Sequence, residues 1–413
     1  MACLSSRPLM ATIRPFAALR PKPELAEKVC ELPYDVMSSA EARGMANGNP
    51  LSFLHVSKPE IDLPEGTDVH SAEVYAKGAE NLQKLVSDGV LFQEEAPCYY
   101  LYRQIMGDHS QIGLVAASSC DEYNKNIIKK HEFTRPEKED DRVLHMEALN
   151  AQTGPVFLTY KSVAKLDGFV ARKTEETPTI DFTAPDKVQH TAWIVSDKSE
   201  IDFITSQFDA IPNTYIADGH HRSAAAGRVY DSRQGAGQSS FFLTVIFPHD
   251  QMQILPYNRA IKNLNGNTGA QVLEKLGEIF EIKEDAPASP CEKHDLGFYL
   301  EGKWYGLTFK TDLTATDDPF ASLDVSLLQQ HVLDPIFNTG DPRTSVSISF
   351  IGGIRGTGEL EKIVDSGDFA CAFSMYPTSI VDLMAIADKD GVMPPKSTWF
   401  EPKLRDAMFC HMI

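Results

Sequence analysis

The chain has 413 residues, 42% of them hydrophobic and 23% charged, with a formal net charge of −19 and a pI of about 5.0. That length supports more than one core, so two or three domains are expected. The acidic balance argues against nucleic acid as a partner, because phosphate backbones are bound by basic surface; a local basic pocket would instead suit a small anionic substrate.

The N-terminus, Met1 to Arg14, lacks the apolar run of a signal peptide. No stretch approaches the roughly 20 apolar residues needed to cross a bilayer, so a soluble protein with no membrane partner is expected. The cysteines Cys3, Cys30, Cys98, Cys120, Cys291, Cys371 and Cys410 are scattered and lack a C-x-x-C pair. Neither a zinc site nor a disulfide framework is indicated, and a reducing, cytoplasmic setting fits.

In chain order, Ile13–Phe16 and Pro33–Val36 read as extended pieces. Ser38 or Ser39 then caps a short helix through Ala46, with Glu41 in its first turn. Asp68–Asp88 has the apolar spacing of an amphipathic helix. Cys98–Met106 and Gln111–Ser118 read as strands around the turn Gly107-Asp108. A basic helix follows, then strand Pro155–Tyr160, a polar stretch near 161–190 and strand Thr191–Val195. Helix Ile201–Phe208, strand Asn213–Ile216, helix Arg222–Tyr230 and strand Phe241–Phe247 complete this part. Beyond Pro248 come a helix near Ala270–Phe280, strands near Asp295–Leu300 and Gly302–Phe309, a helix near Asp324–Leu333, and strands near Val346–Ile351 and Phe369–Ser374. Alternating strands and helices predict an α/β (α+β) fold. Three segments are expected: 1–120, 121–247 and 248–413.

Two strings stand out. Tyr215-Ile216-Ala217-Asp218-Gly219-His220-His221-Arg222 reads as a strand turning through Asp-Gly into a helix favoured by Ser223 and Ala224–Ala226. Such a turn leaves backbone N–H groups and a positive dipole end, which with two imidazoles and a guanidinium suits phosphate. Lys129-Lys130-His131-Glu132-Phe133-Thr134-Arg135-Pro136-Glu137-Lys138, followed by Asp140, Asp141 and Arg142, concentrates positive charge in an acidic protein. It is either a solvated helix face with pairs such as Lys138–Asp141, or a cationic rim for phosphates formed by His131, Arg135, Lys138 and Arg142. Glu132, set among these cations, would stay ionised and serve as a general base.

Other motifs are absent or indecisive. There is no G-x-x-x-x-G-K-[ST], no kinase H-R-D with D-F-G and no G-x-S-x-G elbow. Gly352-Gly353-Ile354-Arg355-Gly356 lacks dinucleotide spacing and reads equally as a turn. Met393–Lys403 is a proline-rich polar loop of the kind that seals an interface or lines a site. Its Lys396 and Lys403 are candidate anion contacts as much as surface lysines. Tyr34-Asp35 is either a packed turn or a ligand contact.

Several blocks of the chain resemble the DUF1015 family. They are Arg14-Pro15-Phe16, Pro33-Tyr34-Asp35-Val36, Asn49-Pro50 with Ser52-Phe53-Leu54-His55-Val56, and Pro59-Glu60. The later blocks are His131-Glu132 with Thr134-Arg135-Pro136, Asp218–Arg222 and Pro394–Phe400. His-Glu followed by Asp-Gly-His-His-Arg also resembles the archaeal free-serine kinases, which share a core with ParB N-terminal domains and sulfiredoxin. The resemblance implies a ParB/sulfiredoxin-like core flanked by mixed α/β segments. It implies phosphorylation of free L-serine to O-phosphoserine, with pyrophosphate as the donor, or ATP or ADP. Carried over to this chain, Glu132 takes the serine hydroxyl proton, and Asp218 holds Mg²⁺ or orients the hydroxyl. Gly219, His220, His221 and Arg222 grip the donor phosphates. The stretch between the motifs is long for such a core, so residues near 161–190 are expected to be an insertion. The sulfiredoxin cysteine has no counterpart, since a histidine stands in its place. A ParB-like nucleotide-binding switch and a phosphoserine phosphatase are the alternatives.

Overall fold

The computed structural model describes residues 10–413; Cys3 and the first nine residues of the N-terminal reading lie outside it. The fold is mixed α/β. Its larger sheet runs in the order Ile128–Lys129, Thr214–Asp218, Val156–Tyr160, Phe241–Pro248, His109–Ser119, Tyr99–Met106, Gln189–Val195, Ile180–Thr183. Ile13–Arg14 pairs with the far end of His109–Ser119. Phe241–Pro248 is apolar except for Thr244 and buried from Phe242 onward, as a strand covered on both faces must be.

The expected boundary at residue 120 falls inside this sheet. Phe241–Ile246 pairs residue by residue with Ser119–Leu114, so the backbone ladder joins the two expected segments. They form one compact unit, residues up to Met252 together with Pro402–Ile413, and Gln253–Glu401 forms a second. The polar stretch near 161–190 supplies helix Ala164–Lys173 and edge strand Ile180–Thr183, whose Leu166, Phe169 and Ile180 are buried. Pro33–Val36 is not extended: Tyr34–Val36 is a single 3-10 turn, closed by the Val36 N–H on the Pro33 carbonyl at 3.3 Å. The helix after it is Ser39–Ala46, with Ser38 and Glu41 forming a capping box.

In the second unit, an antiparallel sheet runs Phe280–Glu284, Lys303–Phe309, Asp295–Leu300, Cys371–Met375, Tyr257–Ile261, Ile348–Gly352. Helix Gly269–Ile279 starts from a Thr268–Gln271 capping box and buries Val272 and Leu276. The glycine-rich run is a 3-10 turn, Gly353–Arg355, after strand Ile348–Gly352.

Two strand-to-helix passages of the first unit lie side by side. Ile128–Lys129 and Thr214–Asp218 are parallel neighbours, with Tyr215 opposite Lys129. Each leads into a 14-residue helix, Pro136–Leu149 and His220–Arg233. Contacts between these helices advance in step. The Arg135 N–H meets His221 Nε2 at 3.1 Å, Arg228 meets Asp140 at 2.7 Å, and Arg233 meets Asn150 at 2.7 Å. The helices are therefore parallel, and both N-termini open at one edge of the sheet.

Close packing at the centre of the sheet sets a testable limit. A Cβ on Gly113 would stand 2.6 Å from Val245 Cγ1 and 2.8 Å from Phe247 Cζ. Gly113→Ala is expected to cost about 1–3 kcal/mol by overpacking, read as a lower urea midpoint; an unchanged midpoint would show that the sheet absorbs the methyl.

Candidate functional site

Strand Thr214–Asp218 ends in a carboxylate, and Gly219 turns the chain into the helix with φ 97°, left-handed space that glycine enters without steric cost. Among the described residues no side chain caps this helix, and its first turn holds no acidic residue. Its first N–H groups have no acceptor inside the helix, and the dipole adds partial positive charge there. Asp218 is turned back: its Oδ1 accepts from the Gly219 N–H at 2.8 Å, and its Oδ2 pairs with Lys403 Nζ at 3.1 Å and lies 3.9 Å from Arg222 Nη2. Burial alone would raise the Asp218 pKa. Lys403 first, then Arg222, outweigh that effect and hold the carboxyl well below its ordinary range. Arg222 is buried, donates to the Pro155 carbonyl, and keeps an Nε with no hydrogen-bond partner among the described residues.

Across from this turn stand His131 and Glu132. The His131 and His220 rings meet edge to face, centroids 4.4 Å apart at 88°. Glu132 Oε2 is 3.9 Å from His220 Nδ1, and one donor atom from each of the three residues lies within 4.8 Å of the others. The Glu132 side chain is 46% exposed, whereas His131 and His220 are buried. Burial drives the His131 pKa down to about 4, opposed without reversal by the Ile216 backbone and the Asp218 charge. Burial, then His131, pushes His220 well below its ordinary value, and burial, then Arg135, lowers His221. At neutral pH these imidazoles are uncharged. Burial, which the sequence does not display, makes His131 an uncharged member of the group of residues that the sequence reading set around the phosphates.

The remaining predicted residues divide. Arg135 is the N-cap residue of its helix, with its backbone N–H on His221. Lys138, in the first turn, acts electrostatically on His221. Arg142 is buried and committed: its Nη2 pairs with Asp141 at 2.7 Å, and its guanidinium lies 3.7 Å from the centre of the Tyr34 ring. Asp141 also accepts from the Tyr75 hydroxyl and meets His70, so it is not the Lys138 partner of an exposed helix face. Asp35 is exposed and stabilises the charged form of Arg222. Lys396 belongs to the second unit, where its Nζ is 3.4 Å from the Tyr257 hydroxyl.

The residue that motif reading misses is Asp406, 2% exposed, with an Oδ1 that has no hydrogen-bond partner among the described residues. Burial raises its pKa to about 7, Arg222 opposes, and Asp35 adds to the rise. The clue in the sequence is the charged pair Arg405-Asp406 beside Lys403, just after the proline-rich loop. Its folded pKa exceeds the unfolded value, so the native chain keeps a proton that the unfolded chain has released, and the stability this contributes falls as pH rises from about 4 to about 7. Asp406→Asn is expected to flatten the dependence of the denaturation midpoint on pH between 5 and 7.5. Parallel curves for the two proteins would show that Asp406 titrates normally.

Comparison with known proteins places the chain. No curated protein matches it. Among solved structures, a free serine kinase in complex with AMP is 15% identical, covering 70% of this chain and 86% of that one, at a TM-score of 0.33. A conserved hypothetical protein from Pyrococcus furiosus is 15% identical, covering 71% and 93%, at 0.33. SbnI with C-terminal truncation from Staphylococcus aureus is 10% identical, covering 71% and 85%, at 0.38. The family model described as "Protein of unknown function (DUF1015)" matches residues 13–326, most of the chain, and the protein belongs to the DUF1015 family.

Proposed function

We propose that the protein is a small-molecule kinase that transfers a phosphoryl group to the hydroxyl of free L-serine, with pyrophosphate as the donor. One observation carries this reading: a carboxylate, Glu132, stands 3.9 Å from His220 at the mouth of an uncapped helix N-terminus. Base and anion cradle occupy one place, and phosphoryl transfer needs mainly positioning and charge stabilisation. The sequence likeness of His131-Glu132 and Asp218–Arg222 to free-serine kinases points the same way. The nine-stranded unit is then the ParB/sulfiredoxin-like core that this likeness implies.

Glu132 accepts the serine hydroxyl proton as the oxygen bonds to the donor phosphorus. The bond from that phosphorus to its bridging oxygen breaks, and inorganic phosphate leaves. Amides at the start of helix His220–Arg233 hold the donor oxygens. Lys403 and Arg222 supply positive charge, while the neutral imidazoles serve as hydrogen-bonding groups. Asp218 keeps Lys403 and the Gly219 turn in place.

Magnesium, expected with the donor, favours six oxygens in octahedral geometry. Asp218 spends its oxygens on Gly219 and Lys403, and the ligand cluster at this site contains two imidazoles. The residues supply no all-oxygen cage, so Mg²⁺ would be held mainly by the donor phosphates and water, with Asp218 or Glu132 contributing a carboxylate oxygen. Hydrolysis of phosphoserine is a second reading, favoured by the exposure of Glu132, which lets water reach the base.

Incubation with serine, Mg²⁺ and pyrophosphate, ATP or ADP, followed by phosphorus NMR, tests the proposal. Phosphoserine is expected, with Glu132→Gln lowering its rate by about 10²–10⁴-fold and Asp218→Asn lowering the rate and raising the donor KM. No phosphoserine from any donor, or undiminished turnover in Glu132→Gln, would refute it; consumption of phosphoserine alone would favour the hydrolase.

A further inference from the structure

We infer that His131, Glu132 and His220 form a binding site for a divalent transition-metal ion of the Zn²⁺ or Co²⁺ class. Their donor atoms already lie within 4.8 Å of one another. Metal–nitrogen and metal–oxygen bonds of roughly 2.0–2.2 Å bring tetrahedral donors to about 3.3 Å apart, so side-chain shifts of about 1 Å close the site.

A second observation points to a ligand independently. His131 and His220 are 2% and 5% exposed; Nε2 of His220 makes no hydrogen bond among the described residues, and the His131 ring has only the Ile216 backbone close to hydrogen-bonding reach. Buried polar nitrogens without partners are costly and rare in native structures. The edge-to-face rings, 4.4 Å apart, suit two imidazoles directed at one ion.

The donor types select the ion. Two imidazoles and one carboxylate match Zn²⁺, Co²⁺ and related ions, whereas Mg²⁺ and Ca²⁺ prefer oxygen alone. Three protein donors leave a coordination position open on the exposed side of Glu132, the pattern of a reactive metal centre rather than a structural one. A Glu132 oxygen bound to the ion is not free to serve as the base of the proposed transfer, so the two readings give Glu132 different roles and are tested separately.

The test uses the full-length protein, stripped with a chelator and titrated with Co²⁺ in the absence of serine and phosphates. One ion per chain is expected, with the visible ligand-field absorption of a nitrogen-and-oxygen site. Zn²⁺ should displace it and a large excess of Mg²⁺ should not. Losing a partner one layer out from a metal costs roughly 10–100-fold in affinity, so His220→Ala is expected to cost more than about 100-fold. Glu132→Gln, at a half-exposed position that leaves the fold intact, should weaken binding and alter the spectrum. Absence of stoichiometric Co²⁺ binding, or binding unchanged in Glu132→Gln, would overturn the inference. Because no substrate is present, that result is distinct from failure of the kinase reading.

Discussion

The ion pair between Asp218 and Lys403 is the contact on which the site depends. Asp218 closes a strand, holds the N–H of a left-handed glycine and binds a lysine from the segment at residues 402–413 of the same unit. If the Asp218 side chain instead capped the helix, it would place negative charge on the N–H groups that face an anion. Turned back against Lys403, it leaves those amides uncovered and adds a cation beside them. The parallel pairing of Thr214–Asp218 with Ile128–Lys129 then brings His131 and Glu132 to the same edge.

Burial decides how these residues act. Three histidines within reach of a carboxylate would be a cationic cluster on a protein surface. Here desolvation dominates the two buried rings, and neutral imidazoles remain. Positive charge is concentrated in Lys403 and Arg222, each tied to Asp218, and in the backbone dipole. Such an arrangement offers preorganised donors with little reorganisation on ligand binding.

The strand, the glycine turn and the helix after it, read from Arg222 and found from His220, were legible in the sequence because each has a local cause: an apolar run, a residue that tolerates positive φ, and alanines. His131-Glu132 stood out by charge contrast. Non-local facts were not legible. The ladder across residue 120 depends on which strands pair, and the turn at Tyr34–Val36 on packing of the ring against Arg142. That Arg142 is spent on Asp141, or that Lys403 reaches Asp218 across 185 positions, follows from topology rather than from spacing. Asp406 carries no motif, and burial, with Asp35 adding to it, makes it unusual.

The central claim is that the Asp218–Gly219 turn presents an anion site within reach of Glu132. A crystal structure with serine and pyrophosphate bound tests it most directly. The account predicts phosphate oxygens on the backbone N–H groups of His220, His221 and Arg222, with the serine hydroxyl within about 3.2 Å of a Glu132 oxygen. Pyrophosphate bound away from this helix N-terminus, with Glu132 facing solvent, would contradict it.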